Sequence, residues 1–352
     1  MSGILFCGGG TGGHVLPGLA VAEALRRRGI QDLRWIGDPD RIEATLVPGA
    51  GIPLLALGLS RPALRSPDWW LRSLGMAWRV HRELAARPPR AIVALGGYAS
   101  LLPALLAPLH RIPLVVMEQN AHAGRTNRLT ARRAAAIVTQ FPEASAHLPA
   151  DRVRMLGNPV RAIAPRTRGE GPTLNVLVVG GSLSAKSLND LLVAAAPALA
   201  AIPGLHLIHL AGDDDRERVA EAYAAVGLSA EVFGFYRDMP GLYERVDLAI
   251  TRAGATTVAE LCAAGIGALY IPLPWAAEDH QTANARSIER IGGALVLPQA
   301  TTGAEALAAA VARLVEDRSA VRSLGEQAHT LARPQAADAV ADLVLQLARP
   351  AP

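Results

Sequence analysis

Short apolar runs alternate with stretches of helical periodicity along most of the chain. The runs ILFC (residues 4–7), LRWIG (33–37), AIVAL (91–95) and PLVVM (113–117) have strand length and predict strands. After the first of them, Val15, Leu19, Ala22 and Leu25 recur at helical spacing. The pattern restarts after residue 160 with LNVLVVGGS, LHLIHLAG, DLAIT and GALYIP, again separated by helical segments. The first helix of this half places Leu188, Leu191, Leu192, Ala195 and Leu199 on one side.

Such βαβ alternation predicts an α/β protein with parallel sheets covered by helices on both faces. The segment AIAPRTRGEGPT (162–173), rich in Pro, Gly and charge, reads as a linker. The expected organisation is therefore a domain at 1–161 and a second at 174–334. A helix in 335–352, with Val340, Leu343, Val344 and Leu347 on one side, is expected to pack back on the first domain. Both halves open with a strand that runs into a glycine-rich loop, which predicts a ligand cleft between them.

The stretch 91–109 carries no charge and approaches the length of a membrane span. Gly96, Gly97, Pro103 and Pro108 break it, which favours a strand, a loop and a short helix. Before the glycines the N-terminus offers only ILFC, too short for a signal-peptide core. Cys7 and Cys262 lie far apart, which suits a reducing compartment. The net charge of +4 comes from 34 arginines and one lysine, Lys186, against 31 acidic residues. It suits an anionic ligand or membrane surface, and its even spread argues against nucleic acid as a partner.

GGGTGGHVLPGLA (8–20) holds the densest glycine cluster. Gly8, Gly10 and Gly13 fit the dinucleotide spacing G-x-G-x-x-G, but the acidic residue expected on the second strand comes late, at Asp38. A nicotinamide oxidoreductase is thereby weakened as a reading. Amides at a helix start suit an anion or sugar hydroxyls in any case. His14 reads equally as a packing residue at the helix start or as a general base. In GGSLSA (180–185), Ser182 reads as a phosphate donor or as the cap of a tight strand-to-helix turn. Glu260 reads either as the acid of a capping box with Thr257 or as a carboxylate for ribose hydroxyls.

Glu118, Gln119 and Asn120 follow a strand end, where open α/β sheets bind ligands. Arg161 faces a diphosphate or is a surface arginine. Gln281 and Asn284, three apart, are usually a solvated face. DPD (38–40) and DDD (213–215) match a metal-diphosphate pattern, but capping explains the second better, and no metal site is expected. In 66–84, Trp70, Leu74 and Trp78 recur at helical spacing among Arg65, Arg72, Arg79 and Arg82, the pattern of a helix lying on an anionic membrane.

Taken in order, GGGTGGHVLPGLAVAEAL, GGYAS, EQNAHAGRTNR, GNPVR, GGSLSAKSLN, RAGATTVAELCAAGIGALYIPLP and HQTANA resemble the MurG family of bacterial cell-wall N-acetylglucosaminyltransferases, from residue 8 to about 293. The resemblance implies a GT-B architecture of two Rossmann-like domains and a peripheral enzyme at the cytoplasmic face of the membrane. It implies no cofactor, and transfer of GlcNAc from UDP-GlcNAc to undecaprenyl-diphosphate-MurNAc-pentapeptide (lipid I to lipid II) in peptidoglycan synthesis, hence a part in cell shape and division. It assigns Thr11, Gly12, Gly13 and Asn120 to the sugar end of the donor. It assigns Arg161, Ser182, Tyr236, Ala255, Thr256, Thr257, Val258, Ala259, Glu260 and Gln281 to the uridine diphosphate, with His14 as general base of an inverting displacement.

The chain departs from the family pattern at Ser184 (for Gly), Met117 (for His), Ala253 (for Ser) and Tyr236 (for an apolar residue). A non-catalytic nucleotide-sugar sensor would share the same loops.

Overall fold

Strand β1 (Ile4–Cys7) is buried at every position, so the sheet that holds it is covered on both faces. The structure, a computed structural model, describes residues 3–57, 67–166, 171–181, 185–273 and 279–348. The chain divides into two units, Met1–Arg161 with Arg333–Pro352, and Ala162–Ala332. Both are α/β.

In the first unit β1 is followed by α1 (Gly12–Arg27), β2 (Leu33–Gly37), α2 (Glu43–Gly49), β3 (Leu54–Ala56) and α3 (Pro67–Ala86). Then come β4 (Ala91–Ala94), α4 (Tyr98–Leu106), β5 (Leu114–Glu118), α5 (Arg125–Ala131), β6 (Ala136–Thr139) and β7 (Val153–Arg154). The described strands form one parallel sheet in the order β3-β2-β1-β4-β5-β6-β7. Ile4 stands level with Leu33 on one side and Ala91 on the other.

The second unit runs β8 (Leu174–Val179), α6 (Ala185–Ala200), β9 (Leu205–Leu210), α7 (Arg216–Ala225), β10 (Ala230–Phe233) and α8 (Met239–Arg245). It continues with β11 (Leu248–Thr251), α9 (Ala255–Ala264), β12 (Gly267–Tyr270), α10 (His280–Arg290), β13 (Ala294–Val296), α11 (Ala304–Glu316) and α12 (Arg318–His329). Its described sheet is β10-β9-β8-β11-β12-β13. The strand order reverses once in each sheet, beside β1 and beside β8, and that reversal fixes where a doubly wound sheet opens for a ligand.

Side-chain alternation along β1 splits the core of the first unit. Ile4 and Phe6 cluster with Val15 and Leu25 of α1, and Leu5 and Cys7 with Val80 and Leu84 of α3. The last helix, α13 (Ala336–Leu347), belongs to the first of these clusters through Val340, Ala341 and Val344. Arg28, the C-cap of α1, clamps it from the side, with Nε on Asp342 and Nη1 on Asp338, both at 2.6 Å. In the second unit Val176 and Val178 of β8 pack with Leu188, Leu192 and Leu199 of α6 and Val311 of α11.

The uncharged stretch at 91–109 resolves into β4, a glycine turn and α4, and no described helix is long and apolar enough to cross a membrane. Five strands lie outside the runs read as strands: β3, β6, β7, β10 and β13. Each has two to four residues, and β10 carries Glu231 inside it.

Val344 of α13 has no exposed surface. Val344→Ala is expected to cost about 2 kcal/mol through lost burial and the void left behind. Thermal unfolding should show the transition lowered by several degrees.

Candidate functional site

The turns after β1 and β4 meet at the strand-order reversal of the first unit. Thr11 is the extended N-cap of α1, and Gly12, Gly13 and His14 form its first turn. Thr11 Oγ1 and His14 Nδ1 are 3.2 Å apart. Gly96, with φ +94°, lies directly beside the ring. A Cβ there would stand 3.1 Å from His14 Cδ2 and 3.2 Å from Nε2, so only glycine lets the imidazole sit so close. When Nδ1 carries the ring proton and donates it to Thr11, Nε2 holds the lone pair that a general base needs.

Two strands away, Glu118 organises the end of β5. Its carboxylate is buried and accepts hydrogen bonds from the Asn120 amide (3.0 Å), the Gly124 amide (2.9 Å), Asn120 Nδ2 (3.3 Å) and Asn127 Nδ2 (2.7 Å). Burial pushes its pKa up, and the hydrogen bonds act against that rise. Gln119 Nε2 donates to the Leu95 carbonyl (3.2 Å) and ties the end of β5 to the end of β4. Asn120 is half-buried here. Glu118 and Asn127 are therefore the residues that aim Asn120. Arg161 is exposed, at the last position before the second unit begins.

In the second unit the corresponding reversal lies between β8 and β11. Thr251 Oγ1 donates to the Val179 carbonyl (2.8 Å) and holds the two strand ends together. Ser182 and Ser184 lie outside the described residues, and the loop is described only through Gly181. Beyond β11, α9 starts after Gly254, with its intrahelical ladder opening on the Val258 amide and the Gly254 carbonyl (2.9 Å). The positive end of the helix dipole thus lies at Ala255–Thr257. Val258 and Ala259 turn their side chains into the interior.

Two expectations need correcting here. Gly254, not Thr257, is the N-cap, so Thr257 and Glu260 do not form a capping box. Glu260 instead sits in the second turn, buried, and accepts a hydrogen bond from Tyr243 Oη (2.8 Å). Nor is the Gln281–Asn284 face solvated. Asn284 is fully buried and donates to the Ala253 carbonyl (3.0 Å), while Gln281 Oε1 accepts from the Leu273 amide (3.0 Å). Asn284 thus fastens α10 to the turn that begins α9, and Gln281 fastens it to the chain just past β12.

Tyr236 is half-buried, edge-on to Phe233 at 5.1 Å between ring centres. Its neighbour Phe235 exposes 73% of its surface, an aromatic available to a planar ligand group that periodicity does not reveal. Arg252 is another such residue. Its buried guanidinium donates to the Ile271 carbonyl and to Ser187 Oγ (both 2.7 Å), and desolvation pulls its pKa down to about 10.

Residues 4–139 match the glycosyltransferase family 28 N-terminal domain, and residues 175–343 match the family 28 C-terminal domain. A protein of Bordetella parapertussis is 41% identical over 98% of this chain and 98% of its own length. One from Alkalilimnicola ehrlichii is 42% identical over 98% and 99%. Both are named UDP-N-acetylglucosamine–N-acetylmuramyl-(pentapeptide) pyrophosphoryl-undecaprenol N-acetylglucosamine transferase. The crystal structure of MurG from Acinetobacter baumannii is 33% identical, with a TM-score of 0.85 over 98% of this chain and all of that one. The chain belongs to the MurG family.

This MurG-family chain has the GT-B fold class, two Rossmann-like parallel-sheet domains. Among its described residues no group of three or more His, Cys, Asp or Glu side chains has the arrangement of a metal site. Asp38 closes a local turn with the Asp40 amide (3.0 Å). Asp215 stands at the N-cap of α7 without making a cap bond, which corrects the capping reading. Its carboxylate is held by Arg218 Nε (2.6 Å) and Asn189 Nδ2 (2.7 Å).

Asn189 continues inward from there. Its Oδ1 meets His209 Nε2 at 3.0 Å, and His209 Nδ1 meets Tyr223 Oη at 2.8 Å. This buried chain braces α6, the helix that follows the second glycine-rich loop.

Burial lowers the His209 pKa from 6.5 to about 4, so the folded unit keeps it neutral. The unfolded chain binds more protons between those values, so stability falls as pH drops below about 6.5, by up to about 3 kcal/mol from this group. Urea unfolding at pH 7 and 4.5 should show that loss, and His209→Gln should flatten it.

Proposed function

We propose that the chain transfers N-acetylglucosamine from UDP-GlcNAc to the muramyl-pentapeptide pyrophosphoryl-undecaprenol acceptor, converting lipid I to lipid II with inversion at the anomeric carbon. Identity of about 41% along the whole chain to proteins named for that transfer carries this reading. The chemistry of the two strand-order reversals supports it.

In this mechanism the acceptor hydroxyl attacks the anomeric carbon while uridine diphosphate leaves from the opposite face. His14 Nε2 takes the hydroxyl proton in the tautomer whose Nδ1 proton is donated to Thr11 Oγ1, 3.2 Å away. Thr11, Gly12, Gly13 and Asn120 meet the GlcNAc. The α9 N-terminus at Ala255–Thr257 and Ser182, of the second unit, together with Arg161, of the first, answer the charge that grows on the diphosphate. Glu260 takes the ribose hydroxyls, Gln281 joins the residues that hold the uridine diphosphate, and Tyr236 lies beside the base. Helix dipole and arginine supply the positive charge, so transfer is expected to persist in EDTA.

The acceptor is a lipid, and α3 has the surface to meet a membrane. Leu71, Leu74 and Trp78, at i, i+3 and i+7, expose 68, 66 and 61% of their areas beside the exposed Arg72, Arg79 and Arg82. Leu109, three-quarters exposed, follows α4. Trp78 stacks on His81, whose Nδ1 lies 3.1 Å from His110 Nε2, so the ridge is tied to the turn that bears Leu109. The side chains of Trp69 and Trp70 lie outside the described residues. We place the enzyme peripherally on an anionic membrane surface through this face.

Three measurements test the reading. Labelled GlcNAc should pass from UDP-GlcNAc to a short-chain lipid I analogue with EDTA present. UDP binding without transfer would leave only a nucleotide-sugar sensor, and NAD(H) binding would favour an oxidoreductase. His14→Ala should lower kcat by about 10²–10⁴-fold with KM for UDP-GlcNAc little changed. Leu74→Glu with Trp78→Glu should abolish sedimentation with anionic vesicles and leave turnover of the short-chain acceptor intact.

A further inference from the structure

Glu43 is the first residue of α2 and has no exposed surface. A buried carboxylate is costly unless its oxygens are satisfied. Here both accept backbone N–H groups. Oε2 takes the Gly10 amide at 2.8 Å, and Oε1 takes the Asp38 amide at 3.0 Å. The donors belong to two different turns, one after β1 and one after β2.

Neighbouring residues leave room for this carboxylate. A Cβ on Gly9 would fall 1.9 Å from Glu43 Oε1, and one on Gly37 would fall 2.8 Å from its Cγ. The turn is held on other sides too. Trp35 Nε1 donates to the Gly8 carbonyl (2.9 Å), and a Cβ on Gly97 would stand 2.7 Å from the Gly9 carbonyl oxygen. Gly10 is at φ +92°, and the next residue is Thr11, the partner of His14. A run of glycines has many backbone states of its own. Of these contacts, the Gly10 amide bond to Glu43 is nearest in sequence to Thr11, and a charge-assisted bond is the strong kind.

We propose that Glu43 is a positioning residue for the transfer reaction. Its carboxylate holds the Gly8–Gly10 turn in the one conformation that presents Thr11 and His14 to the sugar. The inference rests on the reading of His14 as the base. It concerns rate, because Glu43 touches no substrate and lies in the unit that does not carry α9 or Glu260. A general packing role predicts instead parallel losses in stability, nucleotide binding and turnover.

The test uses the full chain and the Glu43→Gln variant, which keeps size but turns an NH₂ toward one of the two N–H donors. Amide hydrogen exchange is read at Gly10 and Asp38, with β4 and β5 as internal reference, alongside UDP affinity and transfer kinetics. In the parent, both turn amides should be protected. In the variant, protection at one or both should fall tenfold or more with β4 and β5 unchanged. kcat should fall tenfold or more, while KM for UDP-GlcNAc and the Kd for UDP stay within about twofold.

Unprotected Gly10 and Asp38 amides in the parent would overturn the proposal even if the variant failed to fold. So would a variant that turns over within twofold of the parent, or one that loses UDP affinity in step with kcat. A parent that makes no product refutes the transferase reading, and the exchange result still decides whether Glu43 holds the turn.

Discussion

A parallel strand buried on both faces needs helices above and below, and the chain can supply them only by winding outward in two directions from a starting strand. In each sheet that start is its first strand, β1 or β8, and the outward winding parts the loops beside it. Backbone amides and helix N-termini then point into the gap without any side chain to put them there. The positions of His14 and of α9 both follow from this. The geometry of the candidate site descends from the requirement that Ile4–Cys7 and Leu174–Val179 be covered.

Topology brings loops near one another, and buried polar groups then set their shape. Glu118 gathers four donors around the end of β5, Arg252 links the end of β12 to α6, Asn284 locks α10 to the turn before α9, and Glu43 spans two turns. These polar groups are buried among apolar neighbours, where a missed partner costs about 1–3 kcal/mol. That penalty narrows the conformations each loop can keep. The loops are thereby stiffened from inside rather than by contacts made at their exposed tips.

Much of this was visible in the sequence, for a physical reason. Long apolar runs such as AIVAL and LNVLVV announce central strands because they are buried on both sides, and glycine clusters announce turns because no other residue tolerates them. The short strands β3 and β13 at the sheet margins carry no such mark. Among candidate site residues, His14 and Asn120 stood out because one opens a helix and the other follows a strand. Glu43, Asn127, Arg252 and Asn284 act across many positions of the chain, on partners that no local period reveals. The same blindness to long-range contact made Glu260 look like a cap and Asn284 look solvated.

The first unit is assembled from two pieces of chain, with 171 residues of the other unit between them. Val340, Ala341 and Val344 complete an apolar layer whose earlier members, from Phe6 and Val15 to Val115 and Val138, lie in the first 138 residues. During synthesis the second unit is whole before that layer can close. The newborn N-terminal half therefore keeps an oily face uncovered until α13 emerges, and its apolar core closes last.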